Sequence, residues 1–221
     1  MNNFEIIDFD YNNPEQLESI SNVHGIVLPE SNVTGLGQLF MKRFYYKTLP
    51  KLGLLKCFLA RYNNKTVGII VCTKAPYSFI KQGMKGNVLK LLFITGLSLL
   101  LKPSRLRALL HQLKYKPDPL LKQQEDAGLT IEILTLGVLK EFRTILMEEN
   151  EKSTHIAFSM VDHVINYYKK SGYKFMTGQI LKTNTSALTF YRAYKATYTD
   201  STVQDTGVLM KIDLDKINNR K

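Results

Sequence analysis

Apolar and polar residues alternate from Phe4 to Phe9, which predicts a short strand with one buried face. The period then lengthens. Pro14 to His24 reads as a helix with Pro in its first turn, and Leu36 to Leu49 carries a second helical pattern. Lys56–Tyr62 and Thr66–Thr73 are β-rich runs separated by Asn63-Asn64-Lys65, the composition of an antiparallel hairpin turn. Leu129–Val138 and Tyr173–Leu181 read as strands flanking a helix from about His155 to Lys170, which Ser171-Gly172 should end through a left-handed glycine cap. A helix capped by Asn184 follows, Val203–Leu214 reads as the last strand, and residues 218–221 form a frayed tail. The predicted order is β, two helices, a hairpin, an insertion over residues 77–126, then β-α-β-α-β.

A chain of 221 residues with 44% hydrophobic content can bury one substantial core, so a single domain over residues 1–217 with the insertion inside it is expected. The formal charge of +11 and pI near 9.5 favour anionic partners, whether nucleic acid, lipid headgroups or a polyphosphate cofactor. Nucleic acid is disfavoured because the basic residues interleave with Leu and Ile rather than with aromatics, and no nucleic-acid-binding motif is present. No metal-ligand cluster, Ser-His-Asp order or P-loop stands out, so no metal, hydrolase or nucleotide-triphosphatase chemistry is indicated. Cys57 and Cys72 are the only cysteines. In the hairpin register Cys57 opposes Ile70, so Cys72 lies diagonally at roughly 7–8 Å, too far for an unstrained disulfide. Two buried, reduced thiols of a cytoplasmic protein are expected. Met1–Glu5 has neither the basic start nor the apolar run of a secretory signal.

Within the insertion, Val88–Leu101 is apolar nearly all round, but this much helix spans only about 21 Å, short of a hydrocarbon core of ~30 Å. Lys81, Lys85, Lys102, Arg105, Arg107, Lys114, Lys116 and Lys122 surround it, and Asp118 is the only acid between Lys81 and Lys122. Two readings stand. The helix packs over the substrate side of the sheet or against a second subunit, giving a homodimer. Otherwise it lies at a membrane interface, held by anionic headgroups, and makes the protein peripheral at the inner face of the membrane.

In Thr183-Asn184-Thr185-Ser186-Ala187-Leu188-Thr189-Phe190-Tyr191, a capping Asn precedes Ala187, Leu188 and Tyr191 at helical spacing. The stretch resembles the helix near the C-terminus of the GNAT N-acyltransferase superfamily, where the Asn usually touches coenzyme A and the Tyr often protonates the departing thiolate. Val67-Gly68-Ile69-Ile70 is similar to that family's second hairpin strand, and Leu134–Arg143 to its fourth strand and phosphate-loop entry. The resemblance covers most of the chain outside Tyr77–Asp126. It implies an α/β (α+β) fold with a mixed, mostly antiparallel central sheet, helices on both faces and, here, a helical insertion. It also implies acetyl-CoA or another acyl-CoA as cosubstrate, no metal, and a small-molecule amine as acceptor, an amino sugar or a lipid-linked amine among the forms. In that fold the fourth and fifth strands splay, so Leu136, Gly137 and Val138 are candidates for the pantetheine arm, with Asn184 and Ser186 as further cofactor contacts.

The phosphate loop departs from the family pattern. Arg143 matches its first basic residue, but Thr144–Lys152 follows instead of glycines. The best restart is Lys152–Ala157, with His155 where the first Gly belongs and Ala157 as the small last residue. Glu148, Glu149 and Glu151 have the wrong sign for a pyrophosphate unless they point outward. In one reading the extra residues bulge into solvent, and Arg143, Ser153, Thr154, His155, Ile156 and Ala157 form a modified phosphate site at a helix N-terminus. In the other the cofactor site is lost, and the scaffold is a non-catalytic binding module, associated with membrane surfaces through the insertion. Two residues are candidates for catalysis. Glu132 on the fourth strand is placed to accept the amine proton, and Tyr191 to protonate the sulfur. Each has a plainer alternative: strand alternation points Glu132 to solvent, and Tyr191 is a core residue bonded to backbone. Tyr194-Lys195-Ala196 stands where the family usually has Leu-Gly-Phe.

Overall fold

The computed structural model describes residues 3–103, 119–149, 152–201 and 206–217. Arg105, Arg107, Lys114, Lys116, Asp118, Glu151, the predicted strand start at Val203 and the tail 218–221 lie outside the described residues. The chain forms two compact units, one of Met1–Val71, Phe79–Tyr115 and Thr135–Val161, the other of Cys72–Ser78, Lys116–Leu134 and Asp162–Lys221.

In the first unit, β1 (Phe4–Asp8) pairs antiparallel with β2 (Lys56–Tyr62), Phe4 opposite Tyr62 and Asp8 opposite Phe58. β2 turns into β3 (Lys65–Thr73) through Asn63 and Asn64, whose φ values of 48° and 63° are those a tight hairpin turn demands and Asn tolerates. Phe58, Leu59, Ala60, Ile69, Ile70 and Val71 are all fully buried. Consecutive burial means both faces of these strands are covered. Helix α1 (Pro14–Val27) begins at Asn13, whose side chain accepts from the Glu15 and Gln16 N–H groups, with Pro14 at the position where a missing N–H does no harm.

The second helix of the sequence reading is broken into pieces. After α2 (Asn32–Gly35), Gly37 at φ 91° opens α3 (Gln38–Phe40), which widens into a π-helical turn over Met41–Tyr45, and α4 (Thr48–Lys51) follows. The cause is packing. Phe40, Met41, Phe44, Tyr45 and Tyr46 are all buried, and a regular 3.6-residue stripe cannot turn so many neighbours inward; the wider turn can.

In the insertion, α5 (Phe79–Met84) and α6 (Val88–Leu101) belong to the first unit and α7 (Pro119–Ala127) to the second. Among the described residues no helix is long and apolar enough to cross a membrane.

Strand β4 (Thr130–Val138) runs from the second unit into the first. In the second unit it pairs parallel with β7 (Phe175–Leu181), Thr130 opposite Phe175 through Ile133 opposite Gly178. β9 (Gly207–Asp213) pairs antiparallel along all of β7, and β8 (Thr197–Asp200) along β9. The strand order is β1-β2-β3-β4-β7-β9-β8, a mixed and mostly antiparallel sheet. β8, Thr-Tyr-Thr-Asp at the sheet edge and mostly exposed, has no apolar face, so its sequence carries no strand period. Between β4 and helix α8 (Ile156–Lys170) a separate hairpin forms from β5 (Leu146–Glu149) and β6 (Lys152–His155). Helix α8 ends as predicted, with Gly172 at φ 84°, and helix α9 (Thr185–Arg192) precedes β8.

Candidate active site

Glu132 occupies the middle of β4's first half, between Ile131 and Ile133. All three are buried, Glu132 with 1% of its surface exposed, so the solvent-facing alternative fails. Alternation cannot sort inside from outside on a strand covered on both faces. Thr177 is Glu132's register partner on β7, and two residues further Gln179 donates from Nε2 to Glu132 Oε1 at 3.1 Å. The other oxygen, Oε2, has no partner among the described residues. Burial pushes the carboxyl pKa up to about 7, and the bond from Gln179 offsets only part of that. A carboxyl in that state exchanges protons near neutrality, as a general base must.

Tyr191 lies on α9, 5% exposed, its ring edge-on to Phe190 at 5.0 Å between centroids. Burial raises its hydroxyl pKa well above the ordinary range, with Cys72 and Tyr198 adding to the effect, so the phenol keeps its proton. Tyr198 of β8 is a backbone-bonded tyrosine of this region, its hydroxyl donating to the Leu188 carbonyl at 2.7 Å and stapling α9. Asn184 caps that helix as predicted, Oδ1 accepting from the Ala187 N–H at 3.1 Å, while Ser186 is exposed in the first turn. With Oδ1 engaged in the cap, the amide NH2 is the donor group of the exposed Asn184.

In the first unit, the second half of β4 holds Leu136, Gly137 and Val138. The register with β7 ends at Ile133, four residues before Gly137. Val27, the last residue of α1, packs so close to Gly137 that a Cβ there would stand 2.4 Å from its Cγ2. The position excludes any side chain. Arg143 follows the short 3₁₀ turn Lys140–Phe142 and folds back, Nε donating to the Val138 carbonyl at 2.9 Å.

The extra residues of this segment form the β5–β6 hairpin, with Leu146 opposite His155, Glu148 opposite Ser153 and Glu149 opposite Lys152. Ser153 and Thr154 are thus strand residues and not loop residues, and α8 starts at Ile156 with Ala157 in its first turn. At this junction His155 Nδ1 and Ser159 Oγ, the latter on a residue 2% exposed, are buried and have no partner among the described residues. Buried polar groups without partners are uncommon, and a helix N-terminus adds unpaired N–H groups of its own. Sequence reasoning missed Ser159 because it lies within the helix, beyond the loop pattern. It also missed Gln179, whose pairing with Glu132 depends on strand register.

No family model matches the chain, and no curated protein matches it. Its architecture recurs in solved structures. An N-acetyltransferase from Staphylococcus aureus Mu50 superposes with a TM-score of 0.55 at 12% identity, covering 96% of this chain and 99% of that one. A PaiA N-acetyltransferase from Thermoplasma acidophilum in complex with coenzyme A gives 0.53 at 12% identity, with coverage of 96% and 99%. A GNAT family acetyltransferase from Elizabethkingia anophelis with acetyl-CoA bound gives 0.51 at 13% identity, with coverage of 96% and 98%. The fold of this chain is that of the GNAT acetyltransferases.

Proposed function

We propose that the protein is an acyl-CoA-dependent N-acetyltransferase acting on the amine of a small molecule, an amino sugar or a lipid-linked amine. The observation that carries this reading is Glu132, a buried carboxyl with one unpartnered oxygen and a pKa near 7. A non-catalytic scaffold has no need for it. An unpaired buried carboxylate is destabilising, and such groups concentrate where chemistry uses them.

Bound acetyl-CoA supplies an acetyl group activated as a thioester. The chain's own residues fit its anionic part. Ser159, His155 and the first N–H groups of α8, from Ile156 and Ala157 onward, are donors suited to phosphate oxygens, with Ser153, Thr154 and Arg143 close in sequence. Leu136 and Val138 offer peptide groups, Asn184 its amide and Ser186 its hydroxyl. Ionised Glu132 accepts the proton of the acceptor ammonium or amine at Oε2, and Tyr191 holds a proton at its phenolic oxygen, the state a proton donor requires.

The test is thermal unfolding of the whole chain with and without acetyl-CoA. At a ligand concentration 100 times Kd the native state gains about 2.7 kcal/mol, which for a chain of this size raises Tm by roughly 5–10 °C. A saturating titration that leaves Tm unmoved overturns the proposal.

A further inference from the structure

Helix α6 (Val88–Leu101) is apolar on its outer side, where an ordinary surface helix is polar. Its buried side carries Ile94 and Ser98, 4% and 2% exposed, and the Ser98 hydroxyl donates to the Leu36 carbonyl at 2.7 Å. Its outer side carries Leu89, Phe93 and Leu100, which are 83%, 72% and 81% exposed, with Leu92 at 63%. At about 100° per residue these four fall within one half of the helix circumference. A contiguous apolar face of this kind marks a surface that meets an apolar partner.

Charge distinguishes between the partners. No acid occurs between Glu30 and Asp118, and that stretch holds sixteen of the thirty Lys and Arg. The remaining fourteen are outnumbered by the nineteen acids, so the excess charge belongs to the part of the sequence that includes α6. Lys81 and Lys85 precede the helix and Lys102 follows it. Lys90, on the helix, donates from Nζ to the Thr48 hydroxyl at 2.8 Å, in the field of Arg43, Lys47 and Lys51. A two-fold interface with a second copy would set this cationic rim against itself. An anionic bilayer complements the rim and the apolar face together, and helix α6 is too short to cross it.

We propose that α6 lies flat in the interface of an anionic phospholipid bilayer, with Leu89, Phe93 and Leu100 among the acyl chains and Lys81, Lys85 and Lys102 on the headgroups. The experiment is flotation of the full chain with vesicles of phosphatidylcholine alone or with phosphatidylglycerol added. Co-flotation is expected with the anionic vesicles and is weakened by salt. Leu89→Glu combined with Phe93→Glu lowers partitioning by about a hundredfold or more. Lys81→Gln with Lys85→Gln lowers it by about thirtyfold, each cation near the surface contributing roughly a factor of five. Both pairs are exposed, so far-UV circular dichroism should match wild type; if the glutamate pair does not fold, the glutamine pair decides. No flotation with anionic vesicles, or equal flotation with neutral ones, overturns the proposal. A dimer that the glutamate pair splits, in protein that does not float, assigns the face to a second copy instead.

Discussion

At Glu132, reactivity and stability oppose one another. The folded pKa of about 7 lies above the ordinary value of 4.5, so the folded state holds its proton over a range in which the unfolded chain has lost it. Stability from this group is therefore complete below about pH 4.5 and declines as the pH rises to about 7. Glu132→Gln should be more stable than wild type at pH 8 by up to roughly 3 kcal/mol, the equivalent of the shift. That gain should vanish by pH 4, as urea unfolding at the two pH values will read. Acetyl transfer by the variant should fall by about 10²–10³-fold and lose the rise through pH 7. The residue type and strand position were legible in the sequence; the burial was not, because it depends on what covers each face of β4.

His24 is a second buried titratable group, and the sequence reading passed it over because its partners are distant along the chain. Its Nδ1 meets the Tyr46 hydroxyl and its Nε2 lies 3.2 Å from Ser31 Oγ. Ser31 donates to Thr34 Oγ1 at 2.9 Å, and Thr34 to the Leu28 carbonyl at 2.8 Å. With both hydroxyl protons committed, Ser31 accepts from Nε2–H, so Nδ1 accepts from Tyr46. Burial lowers the imidazole pKa to about 4, so this network is lost as pH falls from 6.5 through 4. Tyr46→Phe leaves Nδ1 buried and unpaired and should cost about 1–3 kcal/mol at neutral pH by chemical denaturation.

Elements follow from sequence where one local rule decides them. The Asn63-Asn64 turn, the Gly172 cap and the Asn184 cap each rest on a residue whose backbone or side chain has few alternatives. Elsewhere several demands compete. The segment Gln38–Lys51 bends its helix to bury adjacent aromatics, and Leu146–His155 pairs with itself where the family pattern has a glycine loop. Contact between α1 and β4 is equally invisible beforehand, because Gly137 serves in the structure as the seat of Val27. Gly137→Val must displace the end of α1, a steric change that should cost at least about 2 kcal/mol of stability. A Val27→Ala second change should recover part of that loss, measured as a double-mutant cycle.

Over the whole chain, β1 to β4, β7 and β9 were readable in order because hydrophobic periods, turns and caps agree there, whereas β5, β6 and β8 were not. The division into two units was not, since it turns on contacts between segments distant in sequence. Both cysteines are buried and reduced, and burial raises the Cys57 thiol pKa well above its usual value. Cys57 belongs to one unit and Cys72 to the other. The native protein should therefore resist thiol-modifying reagents, and each sulfur becomes a clock for the opening of its own unit. Because β4 runs through both units, the two thiols are expected to be modified at one common rate in mild denaturant, as site-resolved mass spectrometry can follow. A faster Cys72 would mean that the half of the protein carrying Glu132 and Tyr191 opens by itself, so that it could be alkylated while the other half remains folded.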